Sequence, residues 1–393
     1  MTKQNEKDAK RVPELRFKGF TDDWEQRKLG KITDVRDGTH DSPHYVDEGY
    51  PLITSKNVSN GRINYDAVNY VSEYDFNQIN KRSKVNINDI LMGMIGTIGN
   101  LALIREDPNF AIKNVALIKY TESINHQFLF QNLQTSYISK ELSNSMDGGT
   151  QKFISLKKIR NLSINLPKLK EQEKIGQLFQ YLDKTITLHE EKQHQLERLK
   201  KALLQKMLPK NGAKVPELRF AGFADDWEER KLNENVENIG TGRSSFKAGL
   251  DYSEQTPYEV LGSTSVISYS DSFDHSGNFV LTARVGANAG NLYKHSGNVK
   301  ISDNTVYIQS KNLEFIFYLL TKYDLKKLAF GTGQPLIKAS ELKNLKLFFP
   351  KKIGEQQKIG SFFKQLDDTI ALHQRKLDLL KEQKKGFLQK MFV

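Results

Sequence analysis

Residues 12–29 read VPELRFKGFTDDWEQRKL, and residues 215–232 read VPELRFAGFADDWEERKL. Fifteen of these 18 positions are identical at an offset of 203 residues. We call these two stretches the repeated blocks. A second repeat follows, because residues 174–207 and 358–391 agree at 18 of 34 positions at an offset of 184. This period is far too long for a solenoid. The chain is therefore one module written twice: a repeated block, a variable segment and a repeated helix.

The repeated blocks contain both tryptophans of the chain, Trp24 and Trp227. A large ring inside a repeated frame is typical of a core position. Asp22 and Glu25 have the spacing of a capping box, as do the matching residues of the second block. The sequence therefore predicts a short helix in each block.

The long repeat carries apolar residues in a strict alternation of four and three, which is the pattern of a coiled-coil seam. Pro167 and Pro350 lie just before the two copies, where a chain turns into a helix. His189, Gln193 and Lys200 interrupt the seam, and polar residues at such positions commonly fix register and partner. The predicted seam consists of Ile175, Phe179, Leu182, Ile186, Leu196, Ile359, Phe363, Leu366, Ile370 and Leu380.

The variable segments are rich in short apolar runs separated by glycine and asparagine turns, which favours strands. The predicted fold class is α+β, with two similar globular domains separated by two long helices that pack as an antiparallel coiled coil with pseudo-twofold symmetry. The predicted bounds are 12–165 for the first domain with its block at 12–32, 166–210 for the central helix, 211–348 for the second domain with its block at 215–235, and 349–393 for the C-terminal helix.

The composition bounds the function. The chain has 59 Lys and Arg against 47 Asp and Glu, a net charge of +12. This balance favours an anionic partner, with nucleic acid ahead of a membrane. Cysteine is absent, which excludes disulfides, thiolate zinc sites and cysteine nucleophiles. The sequence has neither a signal peptide nor a run of about 20 apolar residues, so we expect a soluble, cytoplasmic protein.

Catalytic motifs are missing from the sequence. It has no GxxxxGK[ST] loop, no GxGxxG after a strand and no HExxH, and its eight histidines are scattered. Asp226, Glu229 and Lys231 loosely resemble a nuclease set, but the first block does not keep their spacing and the predicted short helix leaves no cleft. We expect no catalysis by this chain, no metal site and no cofactor of its own.

The repeated blocks, the paired Q-x-K-I-G helices and the segment DGTHDSPHYVDEGYPLITSKNVSNGRI at 37–63 together resemble the specificity subunits of type I restriction–modification systems over nearly the whole chain. The resemblance implies two target-recognition domains, each reading one half of a bipartite DNA site, with the helices setting the gap. It also implies two methyltransferase subunits carrying S-adenosylmethionine, and motor-nuclease subunits using ATP and Mg in the restricting complex. This chain would be the specificity component, not an enzyme by itself.

Candidate DNA contacts are polar and basic residues near turns, since such side chains can reach base edges or phosphates. Arg284 is favoured because an arginine before a glycine turn can fork onto guanine. In the first domain we expect contacts from Thr39, His40, Ser42, His44, Lys56, Asn57, Lys113 and Lys152. In the second domain we expect them from Arg243, Lys247, Arg284, Asn288 and Lys338.

Three other interpretations remain open from sequence. A self-contained DNA-binding regulator would bind its site tightly without a methyltransferase. A stand-alone nuclease or methyltransferase would be active without partners. A scaffold without a nucleic-acid role would leave the basic charge unexplained.

Overall fold

The structure is a computed structural model that describes residues 12–210, 212–245, 249–329 and 335–393. The chain divides into two compact units. The first comprises the described residues up to His189 together with Lys376–Val393, and the second comprises Glu190–Arg375. Both units mix sheets and helices, so the predicted α+β class is confirmed. The domain bounds given above stay a prediction.

The first unit is built from short strands and helices. Its strands are β1 (Glu25–Lys28), β2 (Val35–Asp37), β3 (Tyr45–Val46), β4 (Tyr50–Ile53), β5 (Val58–Ser59), β6 (Arg62–Ile63), β7 (Asn69–Val71), β8 (Ile90–Gly93), β9 (Leu101–Leu103), β10 (Ala111–Ile112), β11 (Val115–Ile118) and β12 (Ser163–Leu166). Its helices are α1 (Leu29–Ile32), α2 (Glu73–Ser83), α3 (His126–Asn132), α4 (Ser136–Ser145) and α5 (Leu156–Arg160), followed by the long helix α6 (Leu169–Met207), which continues into the second unit. A 3-10 turn spans Ser55–Asn57.

Two four-stranded sheets form the globular part of the first unit, in the orders β10-β4-β7-β3 and β2-β11-β8-β9. The strands β8, β9 and β11 are buried along their whole length. Their residues read as apolar runs because both faces of this sheet are covered.

The second unit is centred on a larger sheet with the strand order β14-β19-β17-β18-β15-β16. Its strands are β13 (Glu228–Lys231), β14 (Asn238–Thr241), β15 (Tyr258–Leu261), β16 (Val266–Ser270), β17 (His275–Ala283), β18 (Leu292–Ile301), β19 (Thr305–Gln309) and β20 (Lys346–Phe349). Its helices are α7 (Leu313–Tyr323), α8 (Ala339–Asn344) and the long α9 (Ile353–Lys390), whose end belongs to the first unit. Further 3-10 turns span Leu232–Glu234 and Leu325–Leu328.

The predicted short helix in each repeated block is wrong, because both blocks form strands. In the first unit β1 pairs antiparallel with β12, and in the second β13 pairs antiparallel with β20. The partner strand is the last strand before the long helix, so each block closes its own domain at the point where the chain leaves it. A pairing between strands so distant in sequence leaves no local signal, whereas a capping box is a local pattern.

The two tryptophans are core residues, as predicted. Trp24 packs edge-on against Phe128 at 5.7 Å between ring centroids, and Trp227 packs edge-on against Phe315 at 6.1 Å. Both indoles are nearly inaccessible to solvent. The repeated blocks and the first helix after β11 and β19 therefore keep the same contact in both units.

Each long helix starts against its own domain through matched polar contacts. Arg16 forms a two-point ion pair with the buried Glu171, and Arg219 forms the same pair with the buried Glu355. Gly176 is needed for a close approach, because a Cβ there would lie 2.4 Å from Asn125 Oδ1. The repeated sequence thus encodes a repeated junction between domain and helix.

The predicted antiparallel coiled coil is confirmed by ion pairs between the long helices. Asp183 on α6 contacts Lys384 on α9 at 2.8 Å, and Lys200 on α6 contacts Asp367 on α9 at 2.5 Å. The pairing order is opposite on the two helices, as antiparallel packing requires. All the predicted seam residues are buried or half-buried.

Candidate nucleic-acid interface

The Asp37-Gly38 turn packs directly on the segment that precedes β11. A Cβ on Gly38 would lie 2.3 Å from the carbonyl oxygen of Ile112, so only glycine permits this approach. The Thr39 amide donates to Ile112 O at 3.1 Å, and Asn114 N donates to Thr39 O at 3.2 Å. The turn and the Lys113-Asn114 corner therefore form one surface.

His40 lies exposed on this surface between two oxygen acceptors. Its Nδ1 is 2.7 Å from Asn114 Oδ1, and its Nε2 is 2.9 Å from Asp37 Oδ2. The protonated ring can donate to both oxygens at once, so the contacts with Asn114 and then Asp37 raise the pKa of His40 above its usual value. Asp37 also accepts from Arg82, which leaves this corner rich in hydrogen-bond donors.

Lys113 and Ser42 extend the same surface. Lys113 Nζ donates to Ser42 Oγ at 2.8 Å. A lysine whose described contact is a neutral hydroxyl is suited to a phosphate. His44 lies exposed just before β3.

Ser55 connects this corner to two further candidate loops. Its Oγ donates to Asn114 O at 2.8 Å and accepts from Met94 N at 3.0 Å, while Thr97 Oγ1 donates to Ser55 O. The exposed Lys56 follows Ser55 directly. Gly96 N in turn donates to Lys152 O at 3.4 Å, so the exposed Lys152 belongs to the same connected set of loops.

Asn57 has a structural role inside the domain. Its side chain is buried, its Oδ1 accepts from Thr54 N at 3.0 Å, and its Nδ2 donates to Asn64 O at 3.1 Å. The amide thus closes the 3-10 turn, and both of its polar atoms are used inside the domain.

In the second unit, Arg284 projects from a backbone held on both sides. Arg284 N donates to Asn304 O at 2.8 Å, and Ile337 N donates to Arg284 O at 2.8 Å. The arginine is exposed, as are Asn288 in the following turn and Lys338 after Ile337. These three predicted residues therefore lie on adjoining segments.

The other two second-unit candidates are placed differently. Arg243 is exposed beside Ser244, whose backbone bonds to the end of β18 rather than to the Arg284 segment. Lys247 lies outside the described residues.

The two units do not use equivalent positions for these groups. Ile154 N donates to Met94 O at 2.9 Å, just as Ile337 N donates to Arg284 O. Arg284 therefore occupies the backbone position of Met94, whose side chain is buried. A matched frame carries different surface chemistry in the two units.

Ser55, Arg82 and Asn114 also contribute to this surface and are not among the contacts predicted from sequence. Asn114 has a φ of +53°, a conformation in which asparagine is enriched, and the pairing of Asn114-Val115 with the later Asn304-Thr305-Val306 was the one available signal. Arg82 lies 45 residues from its partner Asp37 and left no local pattern.

Asp226, Glu229 and Lys231 do not lie on a short helix as expected, because Glu229 and Lys231 belong to β13. Among the residues that the structure describes, no cluster of three or more His, Asp or Glu side chains could hold a metal ion. Within the same ranges, no helix is long and apolar enough to cross a membrane.

Comparison with known proteins gives consistent matches. A family model described as the type I restriction modification DNA specificity domain matches residues 21–198 and 224–382. The putative type I restriction enzyme MjaX specificity subunit of Methanocaldococcus jannaschii is 23% identical over 402 residues, 93% of this chain and 92% of that protein. The type I restriction enzyme MjaVIII specificity subunit of the same organism is 26% identical over 197 residues, 48% of this chain and only 46% of that protein.

A solved structure shows the same fold. The crystal structure of the type I restriction-modification system S subunit from M. genitalium matches with a TM-score of 0.70 at 14% identity, covering 97% of this chain and 99% of that one. The match extends over both units and both long helices.

Proposed function

The chain belongs to the family of type I restriction–modification specificity subunits and has two target-recognition domains, and we propose that it supplies the DNA address of a methyltransferase complex without catalysing a reaction itself. Each domain reads one half of a bipartite DNA site. The observation that carries the proposal is the duplication itself: the junctions between domain and helix match, while the exposed polar groups differ.

The first domain reads DNA with the surface around the Asp37-Gly38 turn. Thr39 and Ser42 offer hydroxyl donors to base edges, the protonated His40 offers a positive charge beside them, and Lys113 offers a charge to a phosphate. The net charge of +12 supports a polyanionic partner. The second domain reads its half-site with Arg284, Asn288 and Lys338, whose guanidinium, amide and ammonium groups are suited to guanine, adenine and phosphate.

The paired long helices act as the spacer that sets the gap between the half-sites. The helix α6 has 39 residues, which is about 58 Å at 1.5 Å per residue. A rod of this length exceeds one turn of B-DNA, about 34 Å, so it can hold two readers on separate turns of the duplex.

Two modification subunits dock on the elements that are repeated. Apart from the seam, each long helix carries an exposed leucine, Leu188 on α6 and Leu372 on α9. Their exposed fractions are 63% and 45%. Leu188 and Leu372 are matched by the repeat, which supports one docking surface per copy for an identical partner.

The partners supply the chemistry. S-adenosylmethionine belongs to the modification subunits, and ATP and Mg belong to the motor-nuclease subunits of the restricting complex. The missing nucleotide and metal motifs support this division of labour.

The test is an exchange of residues 33–162 with the same segment of another family member. This exchange keeps β1 and β12 together, so the closure of the domain is preserved. Methylation by the complex should change at one half of the recognised site and keep the other half and the gap. A change in both halves would contradict independent reading by the two domains.

A further inference from the structure

Two aspartates occupy matched places on the long helices, Asp183 on α6 and Asp367 on α9. They differ in number by 184, the offset of the long repeat. Each is half-buried, and each uses its two carboxylate oxygens for two different structural elements. Both carboxylates lie outside the proposed DNA surface, and each contacts the lysine that interrupts the seam on the other long helix.

In the first unit, Asp183 joins both helices to the globular domain. Its Oδ1 contacts Lys384 on α9 at 2.8 Å, and its Oδ2 accepts from Gln131 Nε2 on α3 at 2.9 Å. Arg105, from the variable segment, approaches the same Oδ2 at 4.0 Å. The carboxylate thus touches three separate parts of the unit.

In the second unit, Asp367 repeats this arrangement with different chemistry. Its Oδ1 contacts Lys200 on α6 at 2.5 Å, and its Oδ2 accepts from the Tyr318 hydroxyl on α7 at 2.6 Å. Burial and then the aspartate raise the pKa of Tyr318, so its hydroxyl stays protonated and remains a donor at neutral pH. Lys200 and Lys384 are the matched lysines that interrupt the apolar seam.

The packing alone does not require charges at these places. Replacing a partly buried ion pair by apolar side chains of similar size is often neutral or stabilising. Hydrogen bonds with short, directed geometry instead restrict rotation, which apolar contacts do only weakly. The matched pairs therefore control orientation more than stability.

We infer that Asp183 and Asp367 are positioning residues for target recognition: each fixes the angle of its own domain on the paired helices and so makes the complex discriminate between gap lengths. The inference rests on the proposed function. Adding one base pair to the gap shifts a half-site by about 3.4 Å and turns it by about 35°. A domain could follow such a shift only by stretching these bonds well beyond the ~3.5 Å limit of a hydrogen bond.

The experiment uses the full chain with its modification subunit in a host without DNA methylation. The substrates are plasmids in which the two half-sites are separated by the normal gap, one base pair less or one more. The variants are Asp183→Asn, Asp367→Asn and Tyr318→Phe, the last of which keeps the buried ring and removes only the donor. Asp368→Asn is the matched control, because Asp368 is exposed on the same helix and its ion pair with Lys364 at 2.9 Å lies along that helix.

We expect each of the variants Asp183→Asn, Asp367→Asn and Tyr318→Phe, called the clamp variants, to lose about tenfold in the ratio of methylation at the normal gap to methylation at the altered gaps, a change of about 1.4 kcal/mol. The bases recognised in each half-site should stay the same, and the control should keep the wild-type ratio. If the clamp variants unfold at lower temperature but keep the wild-type ratio, the pairs are merely structural and the inference is wrong. If wild-type methylation shows no gap preference, the proposed function fails and the inference fails with it.

Discussion

Removing the arginine of the Arg219–Glu355 pair tests how the repeated block is fastened to its helix. Arg219 Nε and Nη2 donate to the two oxygens of Glu355 at 2.6 and 2.8 Å. The Glu355 side chain is only 1% exposed, and Trp227 Nε1 lies 3.4 Å from its Oε1. In Arg219→Ala the carboxylate would keep one weak donor in a buried position.

The expected cost follows from the geometry. Breaking a buried ion pair by removing one partner costs about 3–5 kcal/mol, because the remaining charge is left uncompensated. For a unit of this size, each kcal/mol lost from the free energy of unfolding lowers the midpoint temperature of unfolding by about 2–4 °C. We therefore expect this temperature to fall by roughly 10 °C. Replacing both partners by methionine should recover most of the loss.

The assay uses the placement of the tryptophans, one in the core of each unit. In a Trp24→Phe background, fluorescence reports only on Trp227 and therefore on the second unit. Arg219→Ala should strongly lower the unfolding temperature that this fluorescence reports. Arg16→Ala, the matched variant of the first unit, should lower it little. In a Trp227→Phe background the order should reverse.

If Arg219→Ala lowers the free energy of unfolding of the second unit by less than about 1 kcal/mol, the expected cost is wrong. Such a result would mean that the buried ion pair adds nothing to the stability of the junction. Equal shifts of both tryptophan signals by either variant would contradict the assignment of one junction to each unit.

Further predictions concern the DNA surface, pH and the spacer. Lys113→Ala should weaken DNA binding and reduce the slope of log affinity against log salt by about one, measured by titration at several salt concentrations. DNA affinity should rise as pH falls through the raised pKa of His40, because the ring becomes cationic, and His40→Gln should remove this rise. Burial lowers the pKa of His126, so the first unit should lose stability as pH falls below about 6.5, and His126→Gln should reduce that loss in urea titrations followed at Trp24. Replacing Leu182 and Leu366 together with aspartate should disrupt the seam and abolish methylation by the complex, and normal methylation would contradict the spacer role.

The repeated frame could be predicted from the sequence because its signals are local or periodic. The apolar pattern of residues 174–207 predicts a helix without knowledge of the segment it packs against. The duplication indicates which segments are common to both halves of the chain. The strands β1 and β13 could not be predicted, because each pairs with a strand more than 100 residues away. Glu25 and Glu228 supplied a local capping pattern that tertiary pairing overrode.

The candidate site was predictable only in part, for a similar reason. The Asp37-Gly38 turn identified Thr39 and His40, but their neighbours Lys113 and Asn114 come from a segment more than 70 residues later. Asn57 is a polar residue near a turn, like the other residues predicted to contact DNA. Only the structure shows that its amide is used inside the domain.

The most direct test of the central claim is a map of methylated adenines in a host without DNA methylation that expresses this chain with its modification subunit. We predict one motif of two parts with a fixed gap, present only when this chain is expressed. An assembled complex that methylates no such motif, or the same motif appearing without this chain, would contradict the account.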